Sequence, residues 1–213
     1  MLEIHTLIGP SDAQFAFVIQ EMRNSWESWE KGDSTAYPFE LGAADAALCA
    51  KLTQAGPDHA KFLRQLPIHV AITAPAYWWR EFDTYRIGVA VDDITQNSTS
   101  MMHVLGKQPF SADMFSFENL TPPMKAKITF DLNLARDEWI ESGKRKGPDA
   151  HEWRAMLQMI PDSWNYRRGV SLNYAAARAM YHARRAHRLR EWREFCAALL
   201  DLPYANLLIG GQS

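Results

Sequence analysis

The amino-acid sequence predicts a helix-rich α+β fold in a single domain spanning residues 1–213. Two segments, 2–8 and 66–73, alternate apolar and polar residues, as half-buried strands do. Most other segments space their apolar residues as amphipathic helices do. Since 47% of the 213 residues are hydrophobic, the chain can form one substantial core. We therefore expect one domain that contains more helix than strand.

Start and stop signals set the order of the elements. Gly9-Pro10 ends the first strand, Ser11 caps the first helix and Pro161 stops a later one. The expected helices cover residues 11–24, 42–54, 58–63, 75–85, 122–142, 149–159, 169–186 and 188–200. The expected irregular segments are residues 25–40, residues 143–147, and the polar stretch 90–100, which is a loop or a loop that enters a helix near Ser100.

Charge and cysteine usage exclude several classes of protein. The formal net charge of -2 argues against a general polyanion binder, although six arginines and a single acid lie between Arg178 and Arg193. Cys49 and Cys196 stand in apolar helical segments, so we expect buried, reduced thiols. Neither has a neighbour at zinc-binding spacing, so no metal site is expected. Without a signal-peptide pattern or a run of about 18 apolar residues, we expect no membrane span and a cytoplasmic location.

The first candidate site consists of Asn173 and Arg184. If residues 169–186 form one helix, these side chains lie within about 20° of each other on its surface and about 16 Å apart along its axis. The positions between them are Ala177, Met180 and Tyr181. His187 continues the stripe. An amide and a guanidinium on one stripe suit a flat, two-part ligand. The alternative is an exposed arginine and an asparagine without any function.

The second candidate site is the segment 77–86, in which aromatic and charged residues alternate closely. On a helix, Glu81 and Tyr85 are i,i+4 neighbours. We expect the aromatic side chains to pack inward while Arg80, Glu81 and Arg86 point to a cleft. The alternative is an amphipathic core helix stabilised by ion pairs.

The third candidate site is the segment 97–100, with the sequence Asn-Ser-Thr-Ser. Hydroxyl groups and backbone N–H groups at the start of a helix form a phosphate site. The alternative is an ordinary helix cap.

These three segments, in this order, resemble the flavin-dependent thymidylate synthases (the ThyX family), whose signature is R-H-R followed by S-x-N-E-x-S-x-R-Y. Arg86 falls on the last arginine of R-H-R, and Asn97 and Ser100 match the asparagine and the second serine. The positions at which this sequence departs from the signature are Thr84, Tyr85, Ser98, Met102 and His103.

The C-terminal part of the chain resembles the family more closely. Pro161, Asn173 and Arg184 keep the family's spacing of twelve and then eleven residues, and Arg167 also falls on a similar family residue. The segment W-W-R-E-F-D-T-Y-R is similar to a divergent, phage-type branch. The resemblance covers about residues 56–200.

This resemblance implies an α+β fold with a small antiparallel sheet and a homotetramer whose subunits share each active site. It implies FAD as the cofactor and a pyrimidine deoxynucleotide monophosphate, dUMP, as the substrate. Methylenetetrahydrofolate would supply the carbon, and NADPH would reduce the flavin. The implied reaction is methylation of C5 of dUMP to give dTMP, in a bacterium or a phage-infected host cell.

The resemblance also implies roles for individual residues. Arg184 is the implied catalytic residue, which would hold the pyrimidine and stabilise negative charge on its carbonyl oxygens. The implied cofactor-binding residues are Arg80, Tyr85, Arg86, Asn97, Asn173 and His187. The implied substrate-binding residues, besides Arg184, are Glu81, Ser98, Ser100 and Arg167. A flavin route requires no activated cysteine, which agrees with two thiols in apolar surroundings.

The changed signature positions leave two alternatives open. One is flavin-dependent methylation or hydroxymethylation at C5 of dCMP or dUMP for the synthesis of modified DNA bases. The other is a relative that binds a nucleotide or a nucleic acid and catalyses nothing, for which the arginine-rich stretch would supply the positive charge.

Overall fold

An antiparallel sheet, built from strands that lie far apart in the sequence, organises the fold. The computed structural model of the chain describes residues 1–86, 95–145, 147 and 150–211. The strands are β1 (Glu3–Ile8), β2 (Thr35–Ala36), β3 (Phe39–Glu40), β4 (Pro67–Pro75), β5 (Thr95–Ser98) and β6 (Asn165–Asn173). The α-helices are α1 (Asp12–Glu21), α2 (Ala43–Gln54), α3 (Ala76–Asp83), α4 (Met101–Val104), α5 (Pro122–Glu141), α6 (His151–Met159), α7 (Tyr174–Arg184), α8 (Arg190–Leu199) and α9 (Ala205–Leu208). The 3₁₀ helices are Met22–Trp26, Trp29–Lys31, Lys61–Gln65, Thr84–Arg86 and Ala112–Met114.

The main sheet has the strand order β1-β4-β6-β5, and each neighbouring pair is antiparallel. The central pair, β4 and β6, is registered over nine residues, from Pro67 opposite Asn173 to Pro75 opposite Asn165. The end of β4, where α3 begins, therefore lies beside the start of β6. The short strands β2 and β3 form a separate two-stranded hairpin.

The larger hydrophobic core covers one face of this sheet. Ile68, Val70 and Ile72 alternate along β4 as buried residues, as the two-residue period of a strand requires. They belong to one buried cluster with side chains from the flanking helices, including Phe15 of α1 and Met180 of α7. Burial of each such side chain contributes roughly 1.5–3 kcal/mol, so this face fixes how the helices sit on the sheet.

A second hydrophobic cluster lies between α5 and α6. Trp139 of α5 and Met156 of α6 are buried in it. The rings of Phe115 and Phe117 stack there with their centres 4.7 Å apart. A single β-bridge between Phe115 and Trp164 connects this cluster to the chain just before β6.

The structure confirms the predicted helix-rich α+β class with a small antiparallel sheet. Ser11 caps α1 as expected, and Gln14 completes a capping box because each side chain bonds the other's backbone. The cysteines Cys49 and Cys196 are buried, free thiols. The boundaries predicted for the first strand and for the helices at 42–54, 75–85, 122–142, 149–159 and 188–200 agree to within a few residues, and the predicted helix at 58–63 is the 3₁₀ helix Lys61–Gln65.

The predicted helix over residues 169–186 is wrong in its first part. Residues up to Asn173 belong to β6, and α7 begins at Tyr174. Val170 and Leu172 are buried, whereas Gly169 is exposed. This two-residue alternation of burial is typical of a strand. Pairing with β4 along the whole strand outweighs the helical tendency of the sequence that follows.

Two predicted loops contain regular structure. Residues Thr95–Ser98 form the edge strand β5 within the polar stretch 90–100, which was expected to be a loop or a loop that enters a helix near Ser100. The helix start is confirmed, since Ser100 is the N-cap of α4. The part of that expectation that concerns residues 90–94 lies outside the described residues. The expected loop at 25–40 includes 3₁₀ turns and the hairpin of β2 and β3. Short polar strands carry little apolar alternation, so only their pairing partners identify them.

Among the described helices, none combines the length and the apolar character needed to cross a membrane. Within the same residues, no group of three or more histidine, cysteine, aspartate or glutamate side chains is arranged to hold a metal ion.

Candidate functional site

Helix α3 presents an aromatic face to the core and a polar face to a neighbouring cleft. Trp78, Trp79 and Phe82 are fully buried. Glu81 lies on the other side of the helix, and Tyr85 follows in the 3₁₀ turn that continues it. The helix is thus a core element, and of the three charged residues expected at a cleft, Glu81 lines a cavity while Arg80 is exposed and paired with Asp162.

Arg184, the last residue of α7, lies among side chains from three parts of the chain. Its Nε donates a hydrogen bond to the Tyr85 hydroxyl at 2.8 Å, and its Nη1 donates to Oε2 of Glu81 at 3.0 Å. The indole N–H of Trp192 donates to the same Glu81 oxygen at 3.0 Å. The guanidinium carbon lies 5.1 Å from the centre of the Trp192 ring and 5.5 Å from that of Tyr85.

The hydrogen bonds of Arg184 to described residues involve its Nε and Nη1, and the side chain is 21% exposed. One edge of the guanidinium is thus held by the protein, while the side chain stays partly accessible to solvent. We refer to Glu81, Tyr85, Arg184, His187 and Trp192 as the Arg184 cluster.

His187 has an N–H group facing each of its ring nitrogens. The backbone N–H of Leu189 points at Nδ1 at 3.2 Å, and Nη1 of Arg184 lies 2.8 Å from Nε2. A neutral imidazole accepts at only one nitrogen, so these two contacts cannot both be hydrogen bonds. The carboxylate of Glu81, 3.5 Å from Nε2, accepts from an Nε2–H tautomer. In that tautomer Arg184 is held mainly by Glu81 and Tyr85.

A cavity of about 830 Å³ opens beside Glu81. Its charged lining groups are the N-terminal ammonium of Met1 and the side chains of Glu81, Glu118, Glu191, Glu194, Arg188 and Arg190. The hydroxyl of Tyr77 donates to Glu191 at 2.5 Å, and burial, followed by this contact, raises the pKa of Tyr77. Four carboxylates against three cationic groups leave an excess of negative charge, which disfavours a phosphate in this cavity. The cavity suits a weakly charged or neutral part of a ligand better.

The predicted nucleotide segment, residues 97–100, lies on and just beyond the edge strand β5. Asn97, Ser98 and Ser100 are all exposed. Ser100 is the N-cap of α4, but its hydroxyl pairs with Nδ1 of His103 at 2.8 Å, and α4 has only four residues. A phosphate site built on the start of that helix is therefore not supported. The exposed hydroxyl groups at the sheet edge are still candidate ligand-binding groups.

The other predicted arginines are separate from the Arg184 cluster. Arg167 is exposed on β6, where its carbonyl accepts a hydrogen bond from the Thr99 N–H at 2.9 Å. Arg80 is exposed on α3 and forms an ion pair with Asp162. The side chain of Arg86 lies outside the described residues.

Asn173 does not share a helical stripe with Arg184, so that prediction is wrong. It is the N-cap of α7, with extended backbone, and its Oδ1 accepts from the Ala176 N–H at 2.9 Å. The intervening Ala177 and Met180 are fully buried, so the stripe is core packing instead of the floor of a ligand site. The two side chains occupy opposite ends of α7, where Asn173 is buried and the Arg184 side chain is partly exposed.

The arginine-rich stretch does not form one basic face. Arg178 is buried, and its Nη1 approaches the carbonyl oxygens of Leu208 and Ile209 at 3.4 Å. Burial lowers the pKa of Arg178. Arg184 is partly buried in the Arg184 cluster, and the exposed arginines are Arg185, Arg188, Arg190 and Arg193. The stretch therefore divides between the core, the Arg184 cluster and solvent.

Sequence reasoning missed Tyr77 and Glu191 as members of the region, and it did not identify Arg168 as a buried residue. Tyr77 and Glu191 are 114 residues apart, and no local pattern pairs them. Arg168 is buried in β6. The spacing of two residues between Arg168 and the buried Val170 would indicate that Arg168 is buried too. That inference requires the segment to be recognised as a strand.

No known protein-family profile matches this chain, and no curated protein sequence matches it either. Solved structures do. The chain is similar to thymidylate synthase X (ThyX) from Helicobacter pylori with FAD and dUMP, with a TM-score of 0.70, 17% identity, and coverage of 98% of this chain and 95% of that one. A second structure of the flavin-dependent thymidylate synthase ThyX from Helicobacter pylori, complexed with FAD and dUMP, gives a TM-score of 0.67, 16% identity, and coverage of 100% and 99%. The chain therefore has the fold of the flavin-dependent thymidylate synthases.

Proposed function

We propose that this protein is a flavin-dependent enzyme that methylates C5 of dUMP to give dTMP. FAD would be the bound cofactor, methylenetetrahydrofolate the carbon donor and NADPH the reductant. The observation that carries the proposal is the partly exposed guanidinium of Arg184, held by Tyr85 and by Glu81, which lines the neighbouring cavity. The fold shared with flavin-dependent thymidylate synthases supports it.

The donor set of the Arg184 cluster fits a flat ring that carries carbonyl oxygens. Arg184 offers N–H groups in one plane, and the partly exposed Tyr85 offers an aromatic ring beside it. A flavin ring and a pyrimidine both need in-plane donors for their oxygens and apolar surfaces for their faces. FAD, when bound, would supply the reducing hydride for the reaction.

Arg184 is the proposed catalytic residue. As C5 of a pyrimidine becomes nucleophilic, negative charge spreads onto the carbonyl oxygens of the ring. A pre-oriented guanidinium stabilises that charge more than it stabilises the neutral ring, which lowers the barrier. Glu81, Tyr85 and His187 would keep the guanidinium in the required plane.

The phosphates of the ligands require positive charge and hydroxyl groups outside the acidic cavity. Arg167 and the exposed side chains of Asn97, Ser98 and Ser100 supply these at the sheet edge. We propose that these residues, with Arg80 and Arg86, bind the phosphate-bearing parts of the cofactor and substrate. Asn173, whose amide oxygen caps α7, would contact the cofactor.

A homotetramer with shared active sites is part of the proposal. The site residues at the sheet edge are exposed, as residues that complete a neighbour's site would be. Phe130 and Leu134 of α5 are also exposed, at 67% and 52%, and stand i,i+4 apart on one helix face. Adjacent large apolar residues on a surface favour an interface. Membership of a divergent, phage-type branch remains a prediction.

The first test is the visible flavin spectrum of the purified protein and of the protein mixed with FAD. A flavin spectrum is expected, and a colourless protein that takes up no FAD would contradict the proposal. The second test incubates the protein with methylenetetrahydrofolate, NADPH and either dUMP or dCMP, followed by mass measurement of the nucleotide.

A methyl group on dUMP would support the proposed reaction. A hydroxymethyl product or a reaction of dCMP would support the modified-base alternative. Binding of FAD and nucleotide without any product would support the non-catalytic relative. Arg185→Ala is the matched control for Arg184→Ala, because Arg185 is the next residue, is exposed, and stacks only on Tyr181.

A further inference from the structure

Arg168 is a buried arginine that joins three parts of the chain. Its side chain belongs to β6 and the residue is 7% exposed. Its Nη1 donates hydrogen bonds to Oδ1 of Asp83 at 2.7 Å and to Oε1 of Gln96 at 2.9 Å. Its Nη2 donates to the hydroxyl of Tyr166 at 2.6 Å. The guanidinium therefore connects the end of α3 and the strand β5 to β6.

The plane of this guanidinium matters as well as its charge. Its carbon lies 4.4 Å from the centre of the Trp79 ring and 5.1 Å from that of Tyr166. A lysine at this position would keep the charge but lose the fixed planar set of donors and the contact with the two rings. The arrangement thus defines both the distance and the angle between its partners.

The partners of Arg168 lie next to the two parts of the proposed site, which are the Arg184 cluster and the exposed segment 97–100. Asp83 lies two residues from Glu81 and two from Tyr85, which both bond Arg184. Gln96 immediately precedes the exposed segment 97–100. One side chain therefore links the backbone that carries the Arg184 cluster to the backbone that carries the proposed nucleotide-binding hydroxyls.

Direct attraction of a phosphate is a weaker explanation for Arg168. Its charge is already offset by the carboxylate of Asp83 at 2.7 Å, so little net charge is left to attract an anion. It does form part of the wall of a pocket of about 210 Å³ together with Ser98 and Thr99, and its Nε has no hydrogen-bond partner among the described residues. That pocket is smaller than ordinary ligand sites of roughly 300 Å³ or more.

We propose that Arg168 is a positioning residue that fixes β5 and the segment 97–100 relative to α3, and so aligns the nucleotide-binding side chains with Arg184. This inference rests on the proposed function for its catalytic consequence, but the fixing of β5 does not depend on it.

The sharpest variant is Gln96→Leu, because it removes the bond to β5 and leaves the Arg168–Asp83 pair in place. In ligand-free protein we expect the backbone N–H groups of residues 97–99 to exchange with solvent at least tenfold faster, while those of β1 and β4 exchange as before. Gln158→Leu, at an exposed glutamine of α6, should leave every rate unchanged. Unchanged exchange at residues 97–99 in Gln96→Leu would overturn the proposal, whether or not the protein is an enzyme.

In active enzyme we expect Gln96→Leu to raise KM for dUMP by about tenfold, the effect of losing one bond to a charged group. We expect kcat to change by less than about twofold, since Arg184 keeps its partners. A lower kcat at constant KM would count against a positioning role. If the wild-type protein binds no dUMP, the proposed function fails, and the exchange rates still decide the role of Arg168.

A double-mutant cycle tests the route through Arg168. Arg168→Lys should reproduce the faster exchange at residues 97–99, and combining it with Gln96→Leu should add little, because both remove the same connection. Effects of the two substitutions that simply add would mean that Gln96 acts independently of Arg168, which contradicts the inference.

Discussion

Arg184 donates a hydrogen bond to Glu81 at 3.0 Å across 103 residues of sequence, and this contact joins the end of α7 to α3. Because Glu81 is about one third exposed and Arg184 about one fifth, the pair contributes little to stability. Its effect is to orient the guanidinium, so its loss should appear in activity more than in folding.

We expect Arg184→Ala to lower kcat by roughly 100- to 1000-fold, the usual effect of removing one donor that stabilises developing charge. The midpoint of thermal unfolding should change little. Product formation and a melting curve measure the two quantities. Arg185→Ala should keep wild-type kcat, and an Arg184→Ala variant with normal kcat would remove this residue from the mechanism.

The buried ion pair between Arg23 and Asp45 should be essential for stability. Both side chains are less than 5% exposed, and Asp45 also accepts from the backbone and hydroxyl of Ser34. Removing one partner leaves an uncompensated buried charge, so Asp45→Ala should cost about 3–5 kcal/mol of unfolding free energy. Urea unfolding provides the measurement. The control Glu194→Ala, which breaks the exposed pair with Arg190, should cost less than about 1 kcal/mol.

Substituting two glycines with positive φ distinguishes the free-energy cost of backbone strain from that of a steric clash. At Gly143 (φ +82°) an added Cβ meets nothing within 4 Å, so Gly143→Ala should cost only the strain of about 1–2 kcal/mol. At Gly106 (φ +76°) a Cβ would lie 2.8 Å from Cζ3 of Trp139. Gly106→Ala should therefore cost about 1–3 kcal/mol more. Equal losses of unfolding free energy for the two variants would show that the Trp139 side chain moves aside at no cost, which would contradict this prediction.

The two cysteines should make the protein less stable at alkaline pH. Burial raises the pKa of Cys49 from 9.0 to about 12 and that of Cys196 to about 11. Above pH 9 the unfolded chain loses these protons while the folded chain keeps them, so the unfolding free energy falls from pH 9 towards pH 12. Burial also raises the pKa values of Tyr77 and Tyr174, which adds to the fall.

A Cys49→Ala/Cys196→Ala variant isolates the cysteine contribution, since the tyrosines remain. Its unfolding free energy should depend less steeply on pH above 9 than that of the wild type. Thiol reagents at pH 8 should modify the native wild type slowly and the urea-unfolded chain quickly. Fast labelling of the native protein would contradict the burial of both thiols.

Exposed apolar residues of α5 should contribute to association of the chain. Phe130→Ser/Leu134→Ser removes two adjacent large apolar side chains from the helix surface. We expect the sedimentation coefficient to fall to that of a smaller species. Phe17→Ser, at an exposed aromatic of α1, should leave it unchanged. A wild-type protein that sediments as a monomer would contradict the proposed homotetramer.

Local patterns predict most helices of this protein and one of its two longest strands. Ser11 with Gln14 marks the start of α1, and the alternation of Ile68, Val70 and Ile72 marks β4. The prediction of helix for residues 169–173 was wrong for a physical reason. A five-residue apolar alternation that lies directly before a helix cannot be distinguished from the helical pattern by its spacing alone. Only the pairing of β6 with β4 separates the two.

The candidate site was partly predictable for a related reason. Glu81 and Tyr85 share a helix face through their i,i+4 spacing, and both do contact Arg184. The proposed partnership of Asn173 with Arg184 failed because it required a continuous helix. The residues that complete the region, Tyr77 with Glu191 and Asp83 with Arg168, approach each other only across the folded chain.

The sequence by itself determined where most helices begin, which thiols are buried and which segments carry polar groups beside aromatic ones, because neighbours along the chain decide capping, periodicity and local burial. The tertiary structure decided that α3, α7 and α8 meet around one guanidinium and that Arg168 joins α3 to β5. These tertiary contacts depend on the register of β4 against β6 and on helix packing. Both are set by contacts between residues about 100 positions apart in the sequence.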